Sequence, residues 1–346
     1  MNDLEINVKN KLLYFKKILN NFNYNLDTTL NKKDNEIIDD IKTHKQKNKK
    51  NIKKEISLNI YLKSDLNNFF SLLKLLSVDN VRIVCHNNVM FEFFNNINDK
   101  DLLSNVKIIS KNQNIWSFFF KYDNKNIFVT RHAYSISNFF KSKKQKFKQL
   151  FENDPSLTLW GILTSLYRSH ILHKEEKNYI IDNKSNEINN IYVSILIRTW
   201  MSAVCLYLQY SSNNSFNLII SPFLKEDGFT VDNFPNTLKK QISNFLLFLN
   251  NLKYIHNTLK TVQINQNSYL KKIIKNLDKI MIFFLNKNKI IIKHPNKNFT
   301  IIFSNNNFKV IENNEIYYNL EIYQGVNIPT EDIISQLDIN YEKTNL

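Results

Sequence analysis

Only four arginines, Arg82, Arg131, Arg168 and Arg198, stand in this chain of 346 residues, and two of them lie within two residues of a histidine: Arg131-His132 and Arg168-Ser169-His170. A guanidinium beside an imidazole suits phosphate chemistry, because the cation holds oxygens while the ring moves a proton. With a tyrosine nucleophile the set would suit phosphodiester transfer, but 16 tyrosines leave none singled out. Arg198 falls inside the apolar run Ile191 to Tyr210. A charge there has to find a buried partner or a water-filled groove. His170 and His173 form the one close histidine pair. Their i, i+3 spacing could turn both rings toward one metal, with Glu175 or Glu176 adding an oxygen. They lack the H-E-x-x-H pattern, so the pair is read as the polar end of a helix. The neighbouring acids Asp39-Asp40, Glu175-Glu176 and Glu226-Asp227 read as solvated loop pairs. The expectation is no catalytic residue, no metal site and no cofactor.

Glycine sharpens what is excluded. Only Gly161, Gly228 and Gly325 occur, and none lies near another. A phosphate-cradling loop needs clustered glycines so that backbone can approach the phosphate. P-loop, dinucleotide-binding and protein-kinase chemistries are therefore not expected. The G-x-S-x-G nucleophile elbow is missing too. No C-x-x-C occurs, and the two cysteines, Cys85 and Cys205, sit far apart in apolar segments. They read as buried thiols in a reducing compartment.

Charge supplies the positive signal. The net charge is +16, and lysine carries nearly all of it. Such a balance gathers polyanions. Lys141, Lys143, Lys144, Lys146 and Lys148 share one short segment with Phe139, Phe140 and Phe147. Lysines there would neutralise phosphates, and exposed aromatics could stack on unpaired bases. The alternative places those Phe residues in the core. A second cluster runs from Lys42 to Lys54 without an acid and includes Lys49, Lys50, Lys53 and Lys54. It reads as a linker or a flexible basic arm. Lys271, Lys272 and Lys275 make a weaker patch. Abundant Asn, Lys, Ile and Phe match A+T-rich coding, which itself favours lysine over arginine.

These features lead to an expected function. It is a non-enzymatic nucleic-acid-binding accessory protein for replication or transcription of an A+T-rich genome, viral or plasmid among the settings. DNA or RNA would be held by Arg131 and the lysines without sequence reading, since bidentate base contacts use arginine. One rival is a protein-interaction subunit that docks through its apolar helices. The other is a divergent phosphodiester-transfer enzyme around Arg131, Arg168 and His170.

The elements that would carry these residues follow from periodicity. Residues 1–30 hold an amphipathic helix and 31–55 a basic linker. A β-rich block, 56–150, follows. It contains a strand at Ile56 to Leu62 and a helix opening at Ser64. VRIVC and VMFEFF then form a hairpin across His86-Asn87-Asn88, and a second hairpin turns at Asp123 to Asn126. Helices fill 151–277, including 156–172 and the run 191–210. Residues 278–346 form a five-strand meander, IMIFFL, KIIIKH, FTIIFS, FKVIE and IYYNLEIY, closed by the short helix TEDIISQL. The class is α+β, with an antiparallel N-terminal block, a helical centre and a C-terminal meander. The element order in 56–148 resembles half of a DNA sliding clamp or viral processivity factor. That resemblance implies basic helices against the duplex backbone, and the helices of 156–260 have no place in it. The run 191–210 has spanning length, but Arg198 at its centre would cost about 2.5–3.5 kcal/mol in a membrane. A core helix is expected instead. The first ten residues carry acids and no apolar core, so no signal peptide is expected. The expected location is intracellular, cytoplasmic or nuclear.

Overall fold

The computed structural model describes residues 69–76, 78–96, 107–111, 114–142, 153–180, 188–211, 214–226, 231–261, 268–295, 297–304, 307–312 and 315–320. Residues 69–75 are helical and lead into β1 (Asn80–Cys85) and α1 (Asn87–Asn96). Next come β2 (Lys107–Lys111), β3 (Asn114–Tyr122), β4 (Lys125–Arg131), α2 (Ile136–Ser142) and α3 (Leu159–Tyr179). The chain continues through β5 (Asn190–Val193), α4 (Ile197–Tyr207), β6 (Ser215–Ile220), α5 (Leu238–Thr261) and α6 (Ser268–Leu285). It closes with β7 (Lys289–Lys293), β8 (Asn298–Ser304), β9 (Asn307–Glu312) and β10 (Glu315–Leu320).

The ten strands among the described residues join one sheet, in the order β10-β9-β8-β7-β6-β5-β1-β4-β3-β2. Its centre is parallel: β1 pairs with β4 and β5, β5 with β6, and β6 with β7. Antiparallel wings extend both edges, β3 and β2 beyond β4, and β8 to β10 beyond β7. Side chains alternate across the sheet, as strand geometry requires. Val81, Ile83 and Cys85 pack with Val89, Met90 and Phe93 of α1 and with Phe69 and Leu73. Val84 faces the opposite side, where α3, α4, α5 and α6 bury the larger core around Trp200, Phe245 and Leu249.

Helices with a mixed sheet agree with an α+β chain, but the N-terminal strands are not a separate antiparallel block. β1 lies between two parallel partners in the middle of the sheet. The expected hairpin across His86-Asn87-Asn88 does not form, because VMFEFF belongs to α1. Val89, Met90 and Phe93 are buried together at helical rather than alternating spacing. The same error accounts for the fifth strand of the meander. IMIFFL is the end of α6, where Ile280, Phe283 and Phe284 are buried while Ile282 and Leu285 are exposed. Among the described residues the meander has four strands, β7 to β10. The run 191–210 is not one helix but β5 followed by α4. The clamp-like element order fails with the first hairpin. The expected elements at 1–55, the strand at 56–62 and the helix TEDIISQL lie outside the described residues.

Close approach between α3 and the loop after β4 fixes the rim of the sheet. Thr158 caps α3 by accepting from Gly161 N at 3.0 Å. Its own backbone N–H and hydroxyl both donate to Tyr134 O, at 3.1 and 3.2 Å. A Cβ on Gly161 would stand 2.1 Å from that same carbonyl. Farther along α3, Glu176 accepts from Arg82 Nε of β1 at 2.8 Å, both side chains buried. His173 stacks on Tyr210 with ring centroids 3.7 Å apart.

Two stability measurements check these contacts. Gly161→Ala is expected to cost about 2–3 kcal/mol by urea unfolding, from overpacking against a carbonyl that cannot move freely. A loss under about 0.5 kcal/mol would mean the helix shifts without strain. For His173, burial first, then Lys177 and other nearby cations, lower the ring's pKa from 6.5 to about 4. The unfolded chain therefore takes up this proton before the folded one does. Stability from His173 is full above pH 6.5 and drains as pH falls toward 4. Partial exposure reduces the effect to about 1 kcal/mol between pH 7 and pH 5. His173→Phe, which keeps the stacking, should shrink the pH 7-to-5 stability loss by that amount. An unchanged loss would show that the ring titrates normally.

Candidate functional site

Every parallel strand of the centre ends on the same edge of the sheet. In open α/β sheets that edge, where successive connections leave toward opposite faces, forms a crevice for ligands. Here the chain leaves β1 toward the smaller core and leaves β5 toward the larger one. The residues just past those ends are polar: His86 after β1, Arg131 and His132 at the end of β4, Ser194 after β5 and Ser221 after β6. Arg198 follows in the first turn of α4, and Glu226 lies just beyond the short 3-10 turn Pro222–Leu224.

These groups converge. The His86 and His132 ring centroids are 5.0 Å apart. His86 Nδ1 lies 3.3 Å from Glu226 Oε2, without the alignment of a full hydrogen bond. Arg198 Nη2 donates to the same Glu226 oxygen. The guanidinium also donates from Nη1 to Asp232 O at 2.8 Å and from Nη2 to Asn233 Oδ1 at 2.9 Å. Asp232 accepts from Ser137 Oγ of α2. Arg198 therefore ties α4 to the segments on both sides of residue 227.

Further hydrogen bonds hold the rim. Ser202 Oγ accepts from Ala133 N at 2.9 Å, fixing the residue after His132 against α4. Asp154 Oδ1 accepts from Ile197 N at 2.8 Å and caps α4 from another loop. Gln241 Nε2 of α5 donates to Asp154 Oδ2 at 2.5 Å and to Ile195 O at 2.8 Å.

Burial sets the protonation. It pushes the His86 ring down to about 4, with Arg198 adding to the effect and Glu226 opposing it. It pushes His132 well below the usual imidazole value, assisted by Arg198 and His86. Both rings are neutral at pH 7. For Glu226, burial opposes ionisation, but the facing His86 ring and the Arg198 charge outweigh it and hold the carboxyl well below its ordinary range. Burial also lowers the Arg131 pKa, against the pull of Glu226. The result is two neutral imidazoles and one carboxylate, with Arg198 on the carboxylate and the Arg131 charge acting on the group. Such a set can bind an anion, hold a cation or relay a proton.

Arg131 is the one sequence-selected binding residue in this cluster. Lys141 is exposed at the end of α2. Lys143, Lys144, Lys146 and Lys148, and Lys49, Lys50, Lys53 and Lys54, lie outside the described residues. Phe139 and Phe140 are buried, so they pack in the interior and do not offer a stacking platform. Arg168 and His170 stay on α3, and His170 is exposed there. Arg131 and His132 instead meet His86, Glu226 and Arg198. The cysteines are buried free thiols, pushed up by burial. The apolar helices offered to a protein partner belong to the core: every residue of α4 is buried, and α3 buries ten. Among the described residues no helix is long and apolar enough to cross a membrane.

His86 and Glu226 were not selectable from sequence. One reads as a turn and the other as half of a solvated acidic pair. For His86 the available signal was position, a polar residue directly after Ile83-Val84-Cys85. No family model, curated protein or solved structure matches the chain.

Removing Glu226 should strand the Arg198 charge. Glu226→Ala is expected to cost about 3 kcal/mol in urea unfolding, and the double variant Glu226→Leu with Arg198→Met should recover most of it. Equal losses in the single and double variants would mean that the pair does not neutralise itself.

Proposed function

We propose that the protein binds nucleic acid through its phosphate backbone, and that the strand-end cluster handles a phosphate of the bound strand. The observation that carries the reading is the meeting of Arg131, Arg198, His86, His132 and Glu226 at the parallel-strand edge. A net charge of +16 supports polyanion attraction over the whole chain. Lysine in place of arginine favours contact without base reading. The cluster also favours the phosphodiester-transfer reading over a purely accessory one. A guanidinium can hold the phosphoryl oxygens beside two imidazoles that burial keeps neutral at pH 7. Arg168 and His170 have no part in that version. Arg131, His132 and His86 take their place.

Fluorescence anisotropy with labelled single- and double-stranded DNA and RNA tests the binding. Affinity should fall at least tenfold between about 50 and 200 mM salt, with little dependence on sequence. Arg131→Ala should weaken binding several-fold and leave the salt slope steep. No binding at about 50 mM salt to any of the four probes overturns the proposal.

A further inference from the structure

We infer that His86, His132 and Glu226 form a binding site for one divalent transition-metal ion of the zinc type. One ligand atom from each lies within 4.8 Å of the other two. Among the described residues this is the one group of three His, Cys, Asp or Glu side chains so arranged. Two imidazoles and a carboxylate are a donor set that zinc accepts, with a further position left for water or substrate. The inference goes beyond nucleic-acid binding and does not depend on it.

The hydrogen bonding prepares the ligands. His132 Nδ1 is 2.7 Å from Ala133 O, a contact that only a protonated Nδ1 can make. That tautomer leaves Nε2 with a free lone pair. A backbone carbonyl on the far nitrogen is also how metal-bound histidines are oriented. Ala133 is itself anchored by Ser202, so the ring is held from behind. His86 is fully buried, and neither of its ring nitrogens has a hydrogen-bond partner. A buried polar ring left idle costs roughly 1–3 kcal/mol unless something satisfies it. Its position 3.3 Å from a carboxylate oxygen favours a cation between the two.

Arg198 is the competing occupant, since it engages Glu226 Oε2. It also holds Asp232 O and Asn233 Oδ1, which leaves it anchored if Glu226 turns toward an ion. Zinc bonds of about 2.0–2.2 Å need tetrahedral ligand atoms roughly 3.4 Å apart. The three groups therefore close inward by side-chain rotation when the ion binds. Arg131 and Arg198 beside the site supply positive charge, which suits an anionic group in the remaining coordination position.

Chelator-stripped full-length protein is titrated with Zn²⁺ by calorimetry and with Co²⁺ by visible absorption. One equivalent of metal should bind, with the d–d bands of a four- or five-coordinate Co²⁺ site. His86→Ala and His132→Ala should each weaken binding about 100-fold or more, while His170→Ala leaves it unchanged. Should the alanine variants lose their near-ultraviolet circular dichroism, His132→Cys decides the question. It should retain Co²⁺ and add a thiolate-to-cobalt charge-transfer band, which a structural role for residue 132 could not produce. No stoichiometric metal in the folded wild-type chain overturns the inference. So does binding that His86→Ala and His132→Ala leave intact, or a His132→Cys variant without the new band. No step uses nucleic acid, so failure here leaves the phosphate-binding proposal standing, and failure of that proposal leaves this one standing.

Discussion

A guanidinium buried in the first turn of a helix needs a carboxylate, because the helix N-terminus is already positive. Arg198 of α4 is in that position, and Glu226 is the answering group. The same guanidinium holds the backbone and side chain of Asp232 and Asn233. One charge thereby pins the loop after β6 over the ends of β1 and β4. The two histidines lie beside that pair, and their burial together with the Arg198 charge keeps them neutral. Charge pairing, loop position and imidazole chemistry are thus one linked arrangement.

The sheet supplies the other half of the constraint. Arg82 on β1 meets Glu176 on α3, with Tyr207 close by, beneath the strand-end rim. Arg82 also lies over the Phe128 ring of β4 at 5.3 Å. A buried pair of this kind adds little net stability, but its loss leaves a charge stranded in the core. It fixes which way α3 runs across the sheet. The N-terminus of α3 in turn seats the Tyr134 loop, and so the neighbouring His132.

Much of this architecture was legible in the sequence, though unevenly. The tight hairpin between β3 and β4 was readable from the turn residues Asp123 and Asn124, both at positive φ. The meander strands β7 to β10 were readable from short apolar runs between Asn-rich turns. Parallel pairing was not. A strand buried on both faces reads as a continuous apolar run, and nothing in VRIVC says which neighbour it takes. The site inherited that blindness: Arg198 stood out because a charge in an apolar run is costly wherever it lies. His86 and Glu226 are ordinary in their local context, and only pairing between distant strands brings them together. His86, His132 and Glu226 come from three separate connections of the sheet, and spacing in the sequence does not bring them together.

The parallel pairing of β1 has a consequence for synthesis. A hairpin can close as soon as its second strand leaves the ribosome, but β1 must wait for β4 and then for β5, far along the chain. Until Asn190–Val193 emerges, one long edge of β1 stays open, and the face that carries Val84 lacks α4, α5 and α6, which later complete its core. Such an edge is a template for wrong partners. The nascent chain therefore passes through a stage at which a central strand of its sheet is unpaired on one side, and the strand-end cluster is complete only once Glu226 has been added.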